Sequence, residues 1–173
     1  MTNVTTIDSR ISEGMAALHA KKLNIVHCLF IPLKDELLLL PNSNVAEVVA
    51  YEEPTPFTDA PPWLLGRITW RERLIPLIAF GVISGRNKKS TMSKNSRIIV
   101  LNTLNGNSEL PYISIITQGI PHLESINEKN ITDVADSEDD GRQSILRHVM
   151  VDDKHAMIPD VDDMEIRLIR LHG

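Results

Sequence analysis

Residues Ala60–Gly85 read Ala-Pro-Pro-Trp-Leu-Leu-Gly-Arg-Ile-Thr-Trp-Arg-Glu-Arg-Leu-Ile-Pro-Leu-Ile-Ala-Phe-Gly-Val-Ile-Ser-Gly and hold both tryptophans of the chain. Aliphatic and β-branched residues bounded by Gly and Pro favour a pleated, half-buried surface. The pattern therefore predicts strands over Leu64–Trp70 and Leu74–Ile83, joined tightly through Arg71-Glu72-Arg73. This is an apolar hairpin with charges at its tip. Taken alone, such a tip reads as a solvated turn.

Outward from the hairpin, the segment before it carries Pro54, Pro56, Pro61 and Pro62, cannot pair well and reads as a loop. Upstream of that loop, Val45–Tyr51 reads as a third strand or as a helical turn running into one. Ile25–Leu33 and Leu37–Leu40 predict a further hairpin around Lys34-Asp35-Glu36. In residues 1–22 the spacing of Ile7, Ile11, Met15 and Leu18 places them on one helical face, but Gly14 costs about 1 kcal/mol in a helix interior. That segment reads as a weakly helical accessory arm.

Downstream, Gly85–Ser96 is polar and basic without apolar periodicity, the pattern of a long exposed loop or of a linker between lobes. Arg97–Leu104 and Leu110–Thr117 predict a hairpin around Asn105-Gly106. Ile120–Ile126 follows, and an acidic loop over Asp133–Gly141 precedes strands at Ile145–Val151 and Ala156–Pro159, which turn at Asp152-Asp153. Asp160 is placed to cap a final helix with Met164, Leu168 and Ile169 facing inward. About ten short strands with few helices imply small barrels or a sandwich.

The chain has 173 residues, enough for one domain with a substantial core, and only 4% aromatic residues, so that core is built from Ile, Leu and Val. A formal charge of −5 disfavours a dedicated nucleic-acid binder. The charge is polarised, with cations gathered between Arg67 and Arg97 and acids between Asp133 and Asp163, which suits charged protein partners. Cys28 is the only cysteine, so no internal disulfide forms, and no apolar run reaches the length of a membrane span. Both features point to the cytoplasm and against membrane insertion.

Catalytic and metal-binding patterns are missing from the sequence. The six histidines show no metal-ligand spacing, and no nucleophile elbow or phosphate loop is present. Asp136-Ser137-Glu138-Asp139-Asp140-Gly141 imitates the start of a calcium loop, but Arg147 stands where the bidentate Glu belongs. The sequence therefore implies no cofactor and no metal. Two rival readings stay open: a single-stranded nucleic-acid module using Trp63, Trp70 and the Arg86–Lys94 loop, and an enzyme using carboxylates among Asp152, Asp153, Asp160, Asp162 and Asp163.

The run Pro-Pro-x-Leu-Leu-Gly-x-Ile-x-Trp-Arg-x-Arg-Leu-Ile-Pro-Leu-Ile, with Val45-Ala46-Glu47-Val48-Val49 before it and Arg97-Ile98-Ile99-Val100-Leu101-Asn102 after it, resembles the signature of CheW-like chemotaxis coupling proteins. The likeness spans roughly Asn24–Leu168. It implies an all-β fold of two intertwined five-stranded β-barrels sharing a hydrophobic core. Expected boundaries are an arm over 1–22 and one domain over 23–170, with lobe one near 36–84. Lobe two is then 95–159 together with strand 24–33 and helix 160–170.

The resemblance also implies a non-catalytic adaptor that joins the cytoplasmic tip of a methyl-accepting chemoreceptor to the regulatory domain of a CheA-type histidine kinase, with polar arrays as its expected location. Carried over by position, Val45, Glu47, Gly66 and Arg71 fall at or beside partner surfaces, and Arg71, Ile99 and Ile113 at a groove between the lobes. Glu47 is placed to hold Arg71. Gly66 also reads as close strand packing and Val45 as core. The chain departs from the family at Glu72, where Gly is common, at Ala79, where Asp is common, and at Leu146-Arg147-His148-Val149. Those departures suggest an accessory adaptor of the kind found in type IV pilus-linked, twitching-motility systems.

Overall fold

The computed structural model describes residues 24–135 and 143–172, so the expected arm over 1–22 and the calcium-like segment Asp136–Gly141 lie outside the described residues. Among the described residues, eleven strands run in chain order as β1 Val26–Pro32, β2 Leu37–Pro41, β3 Val45–Ala50, β4 Leu64–Trp70, β5 Arg73–Ile78, β6 Arg97–Asn102, β7 Tyr112–Ile116, β8 His122–Ile126, β9 Ile131–Asp133, β10 Ile145–Val151 and β11 Lys154–Pro159. A one-turn helix, α1 (Phe80–Ile83), follows β5, and α2 (Val161–His172) follows β11.

The strands make a six-stranded sheet ordered β8-β1-β2-β11-β10-β9 and a five-stranded sheet ordered β3-β6-β7-β5-β4. The described chain starts in the first sheet, builds the second, and returns to finish the first, so the two lobes are intertwined. The mostly-β class agrees with the sequence, but the strand allocation differs in three respects. β2 pairs with β1 and β11 instead of lying in lobe one. β6 and β7 join β3 and β5 instead of lying in lobe two. The three-residue β9, too short to show a period of two, adds a sixth strand beside β10. These pairings link segments distant in the chain, and local pattern carries no information on them.

The five-stranded sheet closes on itself. Its edge strands are β3 and β4, and Thr55, just after β3, exchanges two backbone hydrogen bonds of 2.9 Å with Arg67 of β4. The backbone N–H of Thr69 adds a bond to Glu52 Oε1 at 3.2 Å.

Side-chain alternation then explains the unbroken apolar runs. Along β6, Ile98 and Val100 enter the interior of their own barrel, whereas Ile99 and Leu101 enter a cluster shared with the other sheet. β1 does the same: Cys28 and Phe30 fill the interior of the six-stranded lobe, and Leu29 and Ile31 meet the shared cluster. Strands buried on both faces need continuous rather than alternating hydrophobicity. Phe80, Ile83, Val161, Met164 and Leu168 bring both helices into the same shared cluster.

Two expectations at strand and helix ends are corrected. The second hairpin strand stops at Ile78, not Ile83, because the amides of Val82 and Ile83 bond back to the Ala79 carbonyl and start α1. A short apolar run does not distinguish a buried strand from a buried helical turn. In α2, Asp160 caps as expected, its Oδ1 accepting the Asp163 amide at 3.0 Å, and Met164 and Leu168 are buried, but Ile169 is 44% exposed.

Candidate protein-interaction surface

The hairpin of β4 and β5 turns through only two residues, Arg71 and Glu72, with Trp70 facing Arg73 across it. Both turn residues are left-handed, with φ of 46° and 63°. That geometry matches the right-handed twist of the flanking strands, but it favours Gly, Asn and Asp over the residues present. The tight turn leaves Arg71 at the very tip.

Glu47 stands opposite, on β3, next to a bulge that shifts the β3–β6 register between Val45 and Glu47. One oxygen, Oε2, accepts from Trp70 Nε1 at 2.9 Å and from Arg71 Nη2 at 3.0 Å. The Arg71 guanidinium also lies 4.6 Å from the centre of the Trp70 ring, and Tyr112 packs edge-on against that ring at 4.8 Å. Trp70 is itself buried. Arg71 is thus seated on a packed aromatic base and held by one carboxylate. The Arg71 side chain remains 68% exposed and that of Glu47 41%, so the pair contributes about 0–1 kcal/mol and acts by orientation. Exposed Leu74 and Val48 add apolar surface on β5 and β3.

Of the six residues singled out from sequence, the structure brings Glu47 and Arg71 together at this surface. Val45 is half-buried against the shared cluster. Gly66 is buried, and a Cβ added to it would stand 2.3 Å from the Thr55 carbonyl oxygen. Ile99 and Ile113 have no exposed surface. The expected groove containing Ile99 and Ile113 is corrected accordingly: β6 and β7 lie inside the five-stranded sheet, and both residues point into the shared core.

Trp70, by contrast, takes a part that sequence reading assigned only to a rival stacking platform. Its signal was the Trp70-Arg71 adjacency, but the partner, Glu47, lies 23 residues away and only the fold brings it near.

The rival chemistries find little footing. Trp70 is buried and Trp63 is half-buried against the shared cluster, so the two do not form an open stacking platform for bases. Among the described carboxylates, Asp163 has a shifted proton affinity. Burial pushes its pKa up, but hydrogen bonds from Arg167 Nε at 2.8 Å and Ser144 Oγ at 2.6 Å outweigh that and hold it below the ordinary carboxylate value. A general acid needs the opposite shift. Among the described residues, no group of three or more His, Cys, Asp or Glu could hold a metal, and no helix is long and apolar enough to cross a membrane.

The family model of the CheW-like domain matches residues 27–166. The chain belongs to the CheW-like domain family. As a CheW-like protein it is a non-catalytic chemotaxis adaptor rather than an enzyme. The fold is similar to that in the crystal structure of the scaffolding protein TtCheW from Thermoanaerobacter tengcongensis, with a TM-score of 0.64, 24% identity, and coverage of 78% of this chain and 83% of that one. No curated protein matches the chain. Within this CheW-like domain, the seated Arg71 lies inside the matched residues 27–166.

Proposed function

We propose that this CheW-like protein couples the cytoplasmic tip of a methyl-accepting chemoreceptor to the regulatory domain of a CheA-type histidine kinase, and that the β4–β5 tip is one of its docking surfaces. The observation that supports this reading is the Arg71 guanidinium, exposed yet held by Glu47 and Trp70. A planar fork of donors fixed in direction suits an acceptor-rich protein surface, and a fixed cation sets the orientation of a complex more than its strength. Arrays at the cell pole are the setting this role implies. The departures at Glu72, Ala79 and Leu146–Val149 favour an accessory adaptor in a pilus-linked system. A deletion strain that swims normally but fails to twitch would bear that out, and the reverse would overturn it.

The direct test is calorimetry of the purified protein against a cognate kinase regulatory domain and a receptor-tip fragment, with Arg71→Glu alongside. Binding near micromolar strength, about −8 kcal/mol, is expected for the parent. Arg71→Glu reverses the charge and sets it against Glu47, so it should weaken at least one partner about tenfold, a loss of about 1.4 kcal/mol. Equal binding of both partners by parent and variant would remove the tip from the docking surface.

A further inference from the structure

Beside the start of β3, the structure leaves an open groove of about 490 Å³ whose walls come from β2, β10, β11, the β6–β7 loop and α2. Its lining is largely apolar and includes Leu104, Leu146, Ile158 and Ile166. Leu104 is 56% exposed, Leu146 60% and Ile166 42%, so three large side chains from three separate elements stand around one depression. The rim beside them is acidic, with Asp160 and Asp162.

Three observations identify an occupant. First, the described chain begins beside this groove. β1 pairs antiparallel with β2 in the register Cys28↔Pro41, so residues before Cys28 run past Pro41 toward Asn44, and both Pro41 and Asn44 line the groove. Second, 23 residues precede Asn24, and their sequence places Ile7, Ile11, Met15 and Leu18 at the spacing of a single helical stripe. From Asn24 back to Leu18 the chain can reach up to about 20 Å, ample to turn into a depression next to its own attachment point. Third, the end of this stretch nearest the attachment point is basic, with Lys21 and Lys22 opposite in sign to Asp160 and Asp162, while its acids, Asp8 and Glu13, lie farther back.

We infer that the segment over residues 1–22 docks in this groove of its own chain, its apolar stripe against Leu104, Leu146 and Ile166 and its two lysines toward the acidic rim. Because Asn44 adjoins Val45, the docked segment lies beside a position that the family resemblance assigns to a partner surface. It therefore competes with any partner that reaches over that end of β3. Nothing in this assignment rests on Arg71.

The test uses the full chain with a nitroxide on Glu13→Cys, a position off the apolar stripe, and with the single native cysteine removed by Cys28→Ala. Methyl NMR then reads proximity. The expected result is loss of most of the signal intensity of Leu104, Leu146 and Ile166, unchanged on dilution. The exposed Met92 methyl, which precedes β6 and so lies about 20 Å or more along that strand from Leu104, keeps its intensity. Adding Leu146→Asp to the labelled chain should restore the Leu104 and Ile166 signals. Full intensity at all three residues overturns the inference. So does a comparable loss when spin-labelled, unenriched protein is mixed with unlabelled, isotope-enriched protein, because the occupant is then a second copy.

Discussion

Replacing Gly66 with Ala separates a fold role from a contact role at a position that the family resemblance assigns to a partner surface. Gly66 has a φ of +143°, and an added Cβ would meet the Thr55 carbonyl oxygen at 2.3 Å and its carbon at 2.7 Å. Backbone in a sparsely populated region costs about 1–3 kcal/mol for a residue with a side chain. The clash also pushes Thr55 off β4, removing its two 2.9 Å hydrogen bonds with Arg67, each contributing about 0.5–1.5 kcal/mol. The sum centres on about 4 kcal/mol, a large part of the roughly 5–15 kcal/mol typical of a domain. For a chain of this size that lowers Tm by about 8–16 °C. Thermal unfolding followed by circular dichroism reads the loss directly. Partner affinity, measured well below the lowered Tm, should match the parent, since Arg71 lies about 16 Å along the strand. A Gly66→Ala protein with a Tm within about 2 °C of the parent but with weakened partner binding would refute the reasoning and make Gly66 a contact.

Glu72→Gly should act in the opposite direction. Glu72 holds a φ of 63°, which costs a side-chain-bearing residue about 1–2 kcal/mol. Gly is free of that strain but gives back about 0.5–1 kcal/mol in chain entropy, a net gain of up to about 1.5 kcal/mol, so Tm should rise by up to about 6 °C; a fall would show that the Glu72 side chain contributes a contact of its own. Leu77→Ala, at a fully buried position in the five-stranded barrel, should cost about 2–5 kcal/mol in a denaturant titration, and a smaller loss would place Leu77 outside a packed core. Asp163→Asn should destabilise at neutral pH and lose its effect in acid. Despite its burial, the folded carboxylate holds its proton less tightly than the unfolded one because of Arg167 and Ser144, so its contribution is present above the unfolded value of about 3.9 and vanishes as pH falls through the lower folded value. A gap between parent and variant that persists unchanged down to about pH 2, roughly two units below that reference, would contradict the assignment.

The sequence by itself determined most of the element types, because period and punctuation are local. The hairpin turning within Arg71-Glu72-Arg73, the cap at Asp160, and the inward Met164 and Leu168 follow from a short polar break between two apolar runs, from capping and from helical spacing. It also put Glu47 and Arg71 together, through their positions in a family signature. The strand end at Ile78 was less legible, since Leu74–Ile83 is apolar throughout and carries no period to choose between strand and turn.

What only the tertiary structure decided is which strands share a sheet and which side chains reach the surface. Strands buried on both faces, such as Arg97–Asn102, carry no polar side that tells inside from outside. The sequence therefore could not show that Ile99 and Ile113 face a core between lobes rather than a groove. Sheet closure through Thr55, and the bond from Trp70 to Glu47, join segments far apart in the chain. Their geometry is set by the curl of a whole barrel, a property that belongs to no local stretch.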